Sequence, residues 1–93
     1  MISMVMKRQA DHITEDDITY IVKDIIHEKL GLDKILLTDQ ADYKNDLGVD
    51  SLDLIELQME FEKKFAISIR DEEVEKLTTV GKTIAFIKDK HKN

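Results

Sequence analysis

Few residues of this chain could do covalent chemistry, and Ser51 is the best placed of them. It stands in Asp46-Leu47-Gly48-Val49-Asp50-Ser51-Leu52-Asp53, where a long polar loop hands over to a strongly patterned helix. If the helix starts at Ser51, Asp50 is the natural N-cap. Its carboxylate can accept from the free amides of the first turn, and Asp53 adds negative charge at the positive helix end. Ser51 is then the first helical residue, with a hydroxyl not consumed by capping. A cap at Ser51 itself would put Leu54 at the third helical position, where no carboxylate could complete a capping box. The hydroxyl is therefore expected to face solvent.

Other chemistries find less support. A serine hydrolase needs a base beside its nucleophile, yet the only histidines are His12, His27 and His91, and no Gly-x-Ser-x-Gly elbow surrounds Ser51. Val80-Gly81-Lys82-Thr83 mimics the tail of a phosphate-binding loop, but Lys76 occupies the position of the required earlier glycine and no strand precedes it. Asp39, Asp42, Asp46 and Asp50 lack calcium-loop spacing and its central glycine, so at most weak, nonspecific divalent binding is expected and no dedicated metal site. Cysteine is absent, which removes both a disulfide framework and a thiolate metal site. Any thiol chemistry would have to be imported.

The elements that must position Ser51 are helical. Ninety-three residues, 42% hydrophobic, suffice for one small domain with a thin core. The absence of proline, the few glycines and the few aromatics point to an all-α fold rather than a turn-rich β fold. The first helix is expected from Thr14, whose hydroxyl caps while Asp17 completes a capping box, with Ile13 and Ile18 as a hydrophobic staple. Ile18, Ile21, Val22, Ile25 and Ile26 recur with helical period on one face, and Gly31 supplies a left-handed stop. His27 falls opposite that stripe, which predicts a solvated side chain. From Leu32 to Val49 no period is sustained, and Ile35, Leu36, Leu37 and Tyr43 are the anchors expected to lay this loop over the bundle. Leu47 is expected to tuck inward. Ala66-Ile67-Ser68-Ile69 reads as an extended connection burying two isoleucines, and Asp71-Glu72-Glu73-Val74-Glu75 as a short helix with acids at its positive end. Thr78 or Thr79 caps a last helix carrying Val80, Ile84, Ile87 and His91 on one face. Lys88, Lys90 and Lys92 favour its C-terminal end.

The helix from Ser51 to Phe65 has more apolar residues than one face can hold. At about 100° per residue, Leu54, Leu57, Phe61 and Phe65 cluster on the core side, whereas Leu52, Ile55 and Met59 fall elsewhere. Asp53, Glu56 and Glu60 lie beyond that second strip. The strip either packs against another segment or forms a docking face on which exposed aliphatics are bordered by carboxylates. Twenty acids against fourteen bases, a formal charge of −6, disfavour nucleic acid and anionic lipid surfaces and favour partners with basic patches.

Asp50-Ser51-Leu52-Asp53 with the preceding Asp46-Leu47-Gly48-Val49 and the following Leu54-Ile55-Glu56-Leu57 resembles the prosthetic-group attachment motif of acyl carrier proteins. The resemblance extends in order from Ile18 to Ile87: first helix, long loop, Ser51 helix, acidic short helix and Thr78-Thr79-Val80 last helix. It implies a small four-helix bundle of three longer helices and one short one, with a long first loop. It further implies that Ser51 is esterified with 4′-phosphopantetheine from coenzyme A, whose thiol carries an acyl chain as a thioester.

Under that resemblance Asp50, Leu52, Asp53, Ile55, Glu56, Met59, Glu60, Ile69 and Glu75 form the docking surface, and Leu57, Phe61 and Ile84 bound an acyl pocket. The partners implied are a phosphopantetheinyl transferase and acyl-transfer and chain-elongating enzymes with basic docking patches. The chain would be a carrier rather than an enzyme, cytoplasmic and monomeric, without a membrane span. Residues 1–13 would be a flexible N-terminal extension and residues 14–93 the carrier domain. The charged pattern after Ser51 is closer to stand-alone carriers of fatty-acid or polyketide type than to peptidyl carriers. Arg70 departs from the family, standing where proline usually precedes the acidic helix, and so do Lys63-Lys64 in a commonly acidic place. Phe61 and Thr83 stand where smaller aliphatics commonly line the pocket. The alternative is a non-carrier helical interaction module of the same shape, with Ser51 unmodified.

Overall fold

The computed structural model describes residues 13–92, so His12 and nearly all of the N-terminal extension lie outside the described residues. The described residues form three longer helices and a short one: α1 Glu15–Leu30, α2 Ser51–Phe65, α3 Asp71–Val74 and α4 Val80–Lys92, with a single 3-10 turn among them at Lys34–Leu36 between α1 and α2. The fold is all-α, as the composition and periodicity require. Among the described residues extended pairing is confined to one antiparallel bridge between Asp42 and Thr79.

Local chemistry sets each boundary. The Thr14 hydroxyl accepts from the Asp17 amide at 3.1 Å while the Asp17 carboxylate accepts from the Thr14 amide at 3.1 Å, a complete capping box at the start of α1. Gly31 ends α1 at φ 68°, and its amide donates to the His27 carbonyl. Ala66 does the same for α2 at φ 54°, an unusual left-handed conformation for a residue with a Cβ. Thr79 rather than Thr78 caps α4, its hydroxyl accepting from the Lys82 amide at 3.1 Å.

The core runs the length of the bundle, with α1 packed against both α2 and α4. Ile18, Val22 and Ile26 from α1 meet Leu57, Phe61 and Phe65 from α2 and Val80, Ile84 and Ile87 from α4, all buried. Ile21, Ile25 and Leu54 are half-buried at its margin. At its far end His91 meets the Phe65 ring edge-on, with centroids 6.5 Å apart.

The long first loop is held by backbone, not only by side chains. Amides of Val80 and Gly81 donate to the carbonyls of Ala41 and Asp39, and the Tyr43 amide donates to Thr78. The loop is thereby clipped across the start of α4. A Cβ on Gly81 would stand 2.7 Å from the Asp39 carbonyl oxygen, so the backbones approach more closely than any other residue permits. This is the structural reason for the glycine in the false phosphate-loop match. Leu37 and Tyr43 are buried as anchors, but Ile35 is 78% and Leu36 53% exposed, contrary to expectation. The 3-10 turn, capped by Asp33 on the Ile35 amide, turns both side chains outward and leaves Leu37 alone pointing to the core. His27 also departs from its solvated reading. It is half-buried, with Nδ1 2.7 Å from the Leu32 carbonyl, because the chain doubles back over it after Gly31.

Candidate functional site

Ser51 sits at the first position of α2, exposed. The Asp50 carboxylate accepts from the Asp53 amide at 2.8 Å, so capping falls to the preceding residue, and none of the described residues hydrogen-bonds the Ser51 hydroxyl. Approach to this point is controlled by the loop before it. Asp42 organises that loop: its carboxylate accepts from the amides of Lys44 at 3.0 Å and Asn45 at 2.9 Å, while Asp46 reaches back to the Asp42 amide at 2.8 Å. These acids are spent on turn geometry, an Asx-type use of the side chain. Among the described residues no group of acidic or histidine side chains could hold a metal ion. Gly48 then takes φ 65°, and the Val49 amide donates to Tyr43 at 2.7 Å, burying Val49 and turning Asp50 and Ser51 out. The inward anchor just ahead of the serine is chiefly Val49, with Leu47 half-buried beside it.

Beside Ser51 opens a cavity of about 380 Å³. Leu54 and Ile55 of α2, Tyr43 of the loop, and Val74 and Leu77 around α3 give it apolar walls, with Lys44 and Glu75 at its lining. Leu57, Phe61 and Ile84, read from the sequence as the acyl pocket, are placed differently. They are 0%, 0% and 5% exposed within the packed core and do not line this cavity. Leu57 and Phe61 of α2 and Ile84 of α4 belong to the buried cluster shared with α1, whereas the cavity is lined from the loop, the outer part of α2 and the residues around α3.

Tyr43 closes the cavity floor. Its hydroxyl lies 2.7 Å from the Thr83 hydroxyl, and Thr83 donates its own proton to the Thr79 carbonyl at 3.1 Å, so the phenol is the donor of the pair. Burial pushes the phenol up to about 12. It stays a neutral donor at any ordinary pH. Sequence reading caught Tyr43 as an anchor and missed this pairing, because nothing local links residues so far apart in the chain.

The outward flank of α2 carries the second apolar strip. Leu52 is 65%, Ile55 52% and Met59 56% exposed, so no segment among the described residues seals it. Asp53 and Glu56 border the strip, and Glu75 stands across the cavity mouth. Glu60 is already engaged, 3.3 Å from the Lys29 ammonium and 3.6 Å from that of Lys63. Hydrogen bonding to Lys29 holds its carboxyl below the usual carboxylate range. Ile69 does not join this surface. It is buried, its amide donating to the Glu62 carboxylate at 2.8 Å, which ties the connection after α2 back onto the helix. That anchoring by Glu62 was not legible in a run of acids. Glu73 is drawn down first by its bond from the Arg70 amide, and its 3.7 Å ion pair with Lys90 links α3 to α4. Arg70 thus fills the pre-helix place without proline.

The family model described as "Phosphopantetheine attachment site" matches residues 21–87. The chain belongs to that family. The structure is similar to that of an acyl carrier protein from Enterococcus faecalis, with a TM-score of 0.72 and 32% sequence identity, covering 83% of this chain and 98% of that one. Members of this family bear 4′-phosphopantetheine covalently, and this chain is accordingly an acyl carrier domain with that prosthetic group. The local geometry fits such a group: an unpartnered, exposed hydroxyl adjoins an apolar-walled cavity, and Asp50 has already satisfied the amide that would otherwise compete for the hydroxyl. No helix among the described residues is long and apolar enough to cross a membrane.

Proposed function

We propose that Ser51 is the attachment residue and that the chain is a stand-alone carrier serving fatty-acid or related polyketide or lipid biosynthesis. The observation that carries this reading is the unpartnered Ser51 hydroxyl at the tip of α2, capped by its neighbour and bordered by an exposed apolar strip. When bound, the group supplies a terminal thiol that holds acyl cargo as a thioester. The chain's own residues do the rest. Asp50 fixes the first turn so that the hydroxyl projects outward, and Gly48 turns the loop aside to leave room for a modifying phosphopantetheinyl transferase.

Leu54, Ile55, Val74 and Leu77 exclude water from an apolar chain laid into the cavity, at roughly 0.8 kcal/mol per buried methylene. Leu57, Phe61 and Ile84 support this sheltering from behind, and their repacking could deepen the cavity. Leu52, Ile55 and Met59, rimmed by Asp50, Asp53, Glu56 and Glu75, dock acyl-transfer and chain-elongating enzymes through basic patches around an apolar notch. Individual rim pairs contribute about 1 kcal/mol or less, which permits fast exchange among partners. Among the described residues the histidines are engaged elsewhere, His27 at the Leu32 carbonyl and His91 at the Phe65 ring, and the protein acts by presentation, as a cytoplasmic monomer.

Coexpression with a phosphopantetheinyl transferase, followed by intact-mass measurement, tests the assignment. Wild type is expected to gain the mass of the arm and Ser51→Ala to gain nothing. A wild-type mass that never changes would overturn it in favour of an unmodified interaction module.

A further inference from the structure

Gln58 is 4% exposed, and both its amide nitrogen Nε2 and its amide oxygen Oε1 lack a hydrogen-bond partner. Among the described residues these are the only buried side-chain nitrogen or oxygen atoms left in that state. A buried primary amide offers two donors and an acceptor with two lone pairs, and leaving all of them unpaired opposes folding. An apolar residue of similar volume would fill the same space without that penalty. The remaining polar groups of the interior are accounted for: Tyr43 donates to Thr83, and Thr83 to the Thr79 carbonyl. Gln58 is thus a polar group in search of a partner that the described residues do not supply.

Its position says where that partner would come from. Leu54 and Ile55 line the cavity that opens beside Ser51, and Gln58 follows them by four and three residues on α2. Residues so spaced are neighbours on a helix surface. Gln58 does not itself line that cavity, but it lies one turn beyond Leu54 and Ile55 on α2, so an extended chain that enters beside Ser51 and pushes past those two residues along the helix reaches its amide. A saturated chain would leave the amide as it is, unpaired. A chain bearing a keto oxygen accepts from Nε2, and one bearing a hydroxyl can also donate to Oε1.

We propose that Gln58 is a specificity-determining residue that hydrogen-bonds an oxygen on the buried cargo, so that this carrier shelters keto- or hydroxy-bearing acyl chains in preference to saturated ones. The inference rests on the carrier reading and on Ser51 as the attachment residue, and it goes beyond both by naming the cargo class and the residue that selects it. The observation it stands on is independent of the docking face.

The test loads Ser51 with acyl-phosphopantetheine from the corresponding coenzyme A thioesters: one saturated chain, and chains of the same length bearing a single keto or hydroxyl oxygen at the third, fifth or seventh carbon. Intact mass establishes loading before the thermal midpoint of each species is measured. In wild type at least one oxygenated chain is expected to raise the midpoint by about 4–8 °C more than the saturated chain, the shift that one net hydrogen bond produces in a domain of this size. In Gln58→Met that preference is expected to vanish or reverse, and the unloaded variant is expected to melt at or above the wild-type midpoint. Gln58→Leu repeats the comparison in a second apolar variant, and the wild-type series decides the matter by itself should neither variant fold. The proposal is overturned if the saturated chain stabilises wild type as much as every oxygenated chain does, or if Gln58→Met keeps the wild-type preference. A chain that cannot be loaded at all would sink the attachment assignment instead, and the mass spectrum distinguishes that outcome from a loaded carrier without preference.

Discussion

Under the proposed attachment at Ser51, the division of labour between Asp50 and Ser51 is the smallest unit of function in this protein. One carboxylate takes the capping role, which leaves the adjacent hydroxyl at the same helix end outside the cap. Tyr43 shows a comparable economy: its ring walls the cavity while its hydroxyl is paired with Thr83. The phenol titrates near 10 in an unfolded chain and about 12 in the folded one. A raised folded value means that the native state holds the proton more tightly, so the associated stability is complete below pH about 10 and is lost as the pH climbs toward 12. Urea denaturation of wild type and Tyr43→Phe at neutral pH and near pH 11 checks this. Near neutrality the variant is expected to be less stable by about 1 kcal/mol for the lost hydrogen bond. Above pH about 10 the gap is expected to close and then reverse. A gap independent of pH would show that the phenol is not held as a buried neutral donor.

At the scale of elements, the long loop behaves as a structural element in its own right. Its hydrogen bonds run to the start of α4, so the cavity wall and the last helix are assembled together. Gly81 is the hinge of that contact. Alanine normally favours a helix over glycine by about 1 kcal/mol, yet here the added Cβ would meet the Asp39 carbonyl oxygen at 2.7 Å, and the neighbour is backbone that cannot swing away. Gly81→Ala is therefore expected to destabilise by about 1–3 kcal/mol net, in the range typical of overpacking. Equilibrium denaturation reads the change directly, and a stability equal to or above wild type would refute the close approach. Amides of Ala41 to Tyr43 should also lose hydrogen-exchange protection in the variant, because the clip that holds them is sprung.

For the molecule as a whole, charge and shape act together. The chain carries a formal −6, and the acids nearest the exposed strip differ in their freedom. Glu60 is held by Lys29 and Lys63, whereas Glu56 is exposed on the same flank with no ion pair among the described residues. A basic partner must compete with two lysines for the first and with none for the second. Glu56→Gln is accordingly expected to weaken binding to a basic partner enzyme more than Glu60→Gln does, by up to about 1 kcal/mol, with most of the loss in the association rate. Surface plasmon resonance at low and high salt measures it. The difference between the variants should shrink as salt screens the rim, and an equal effect of both would show that the intramolecular pairs do not restrain Glu60.

Much of this was legible in the sequence because it is local. Capping by Thr14 and Asp50, the left-handed stop at Gly31, the helical stripe on α1 and the two apolar strips of α2 all depend on residues within a few positions of one another, where spacing alone fixes geometry. The order of helices around a serine so placed was equally readable. What only the tertiary structure decided involves residues brought together from afar or turned by a local irregularity. A 3-10 turn sends Ile35 and Leu36 outward, Glu62 captures the Ile69 amide, and the loop crossing α4 explains Gly81. The cavity is lined from the loop, α2 and the residues around α3 instead of by Leu57, Phe61 and Ile84, which are packed into the core that α1, α2 and α4 share. Periodicity tells which side of a helix is apolar. Which neighbour occupies that side, and whether room remains beside it, is set by the packing of the whole bundle.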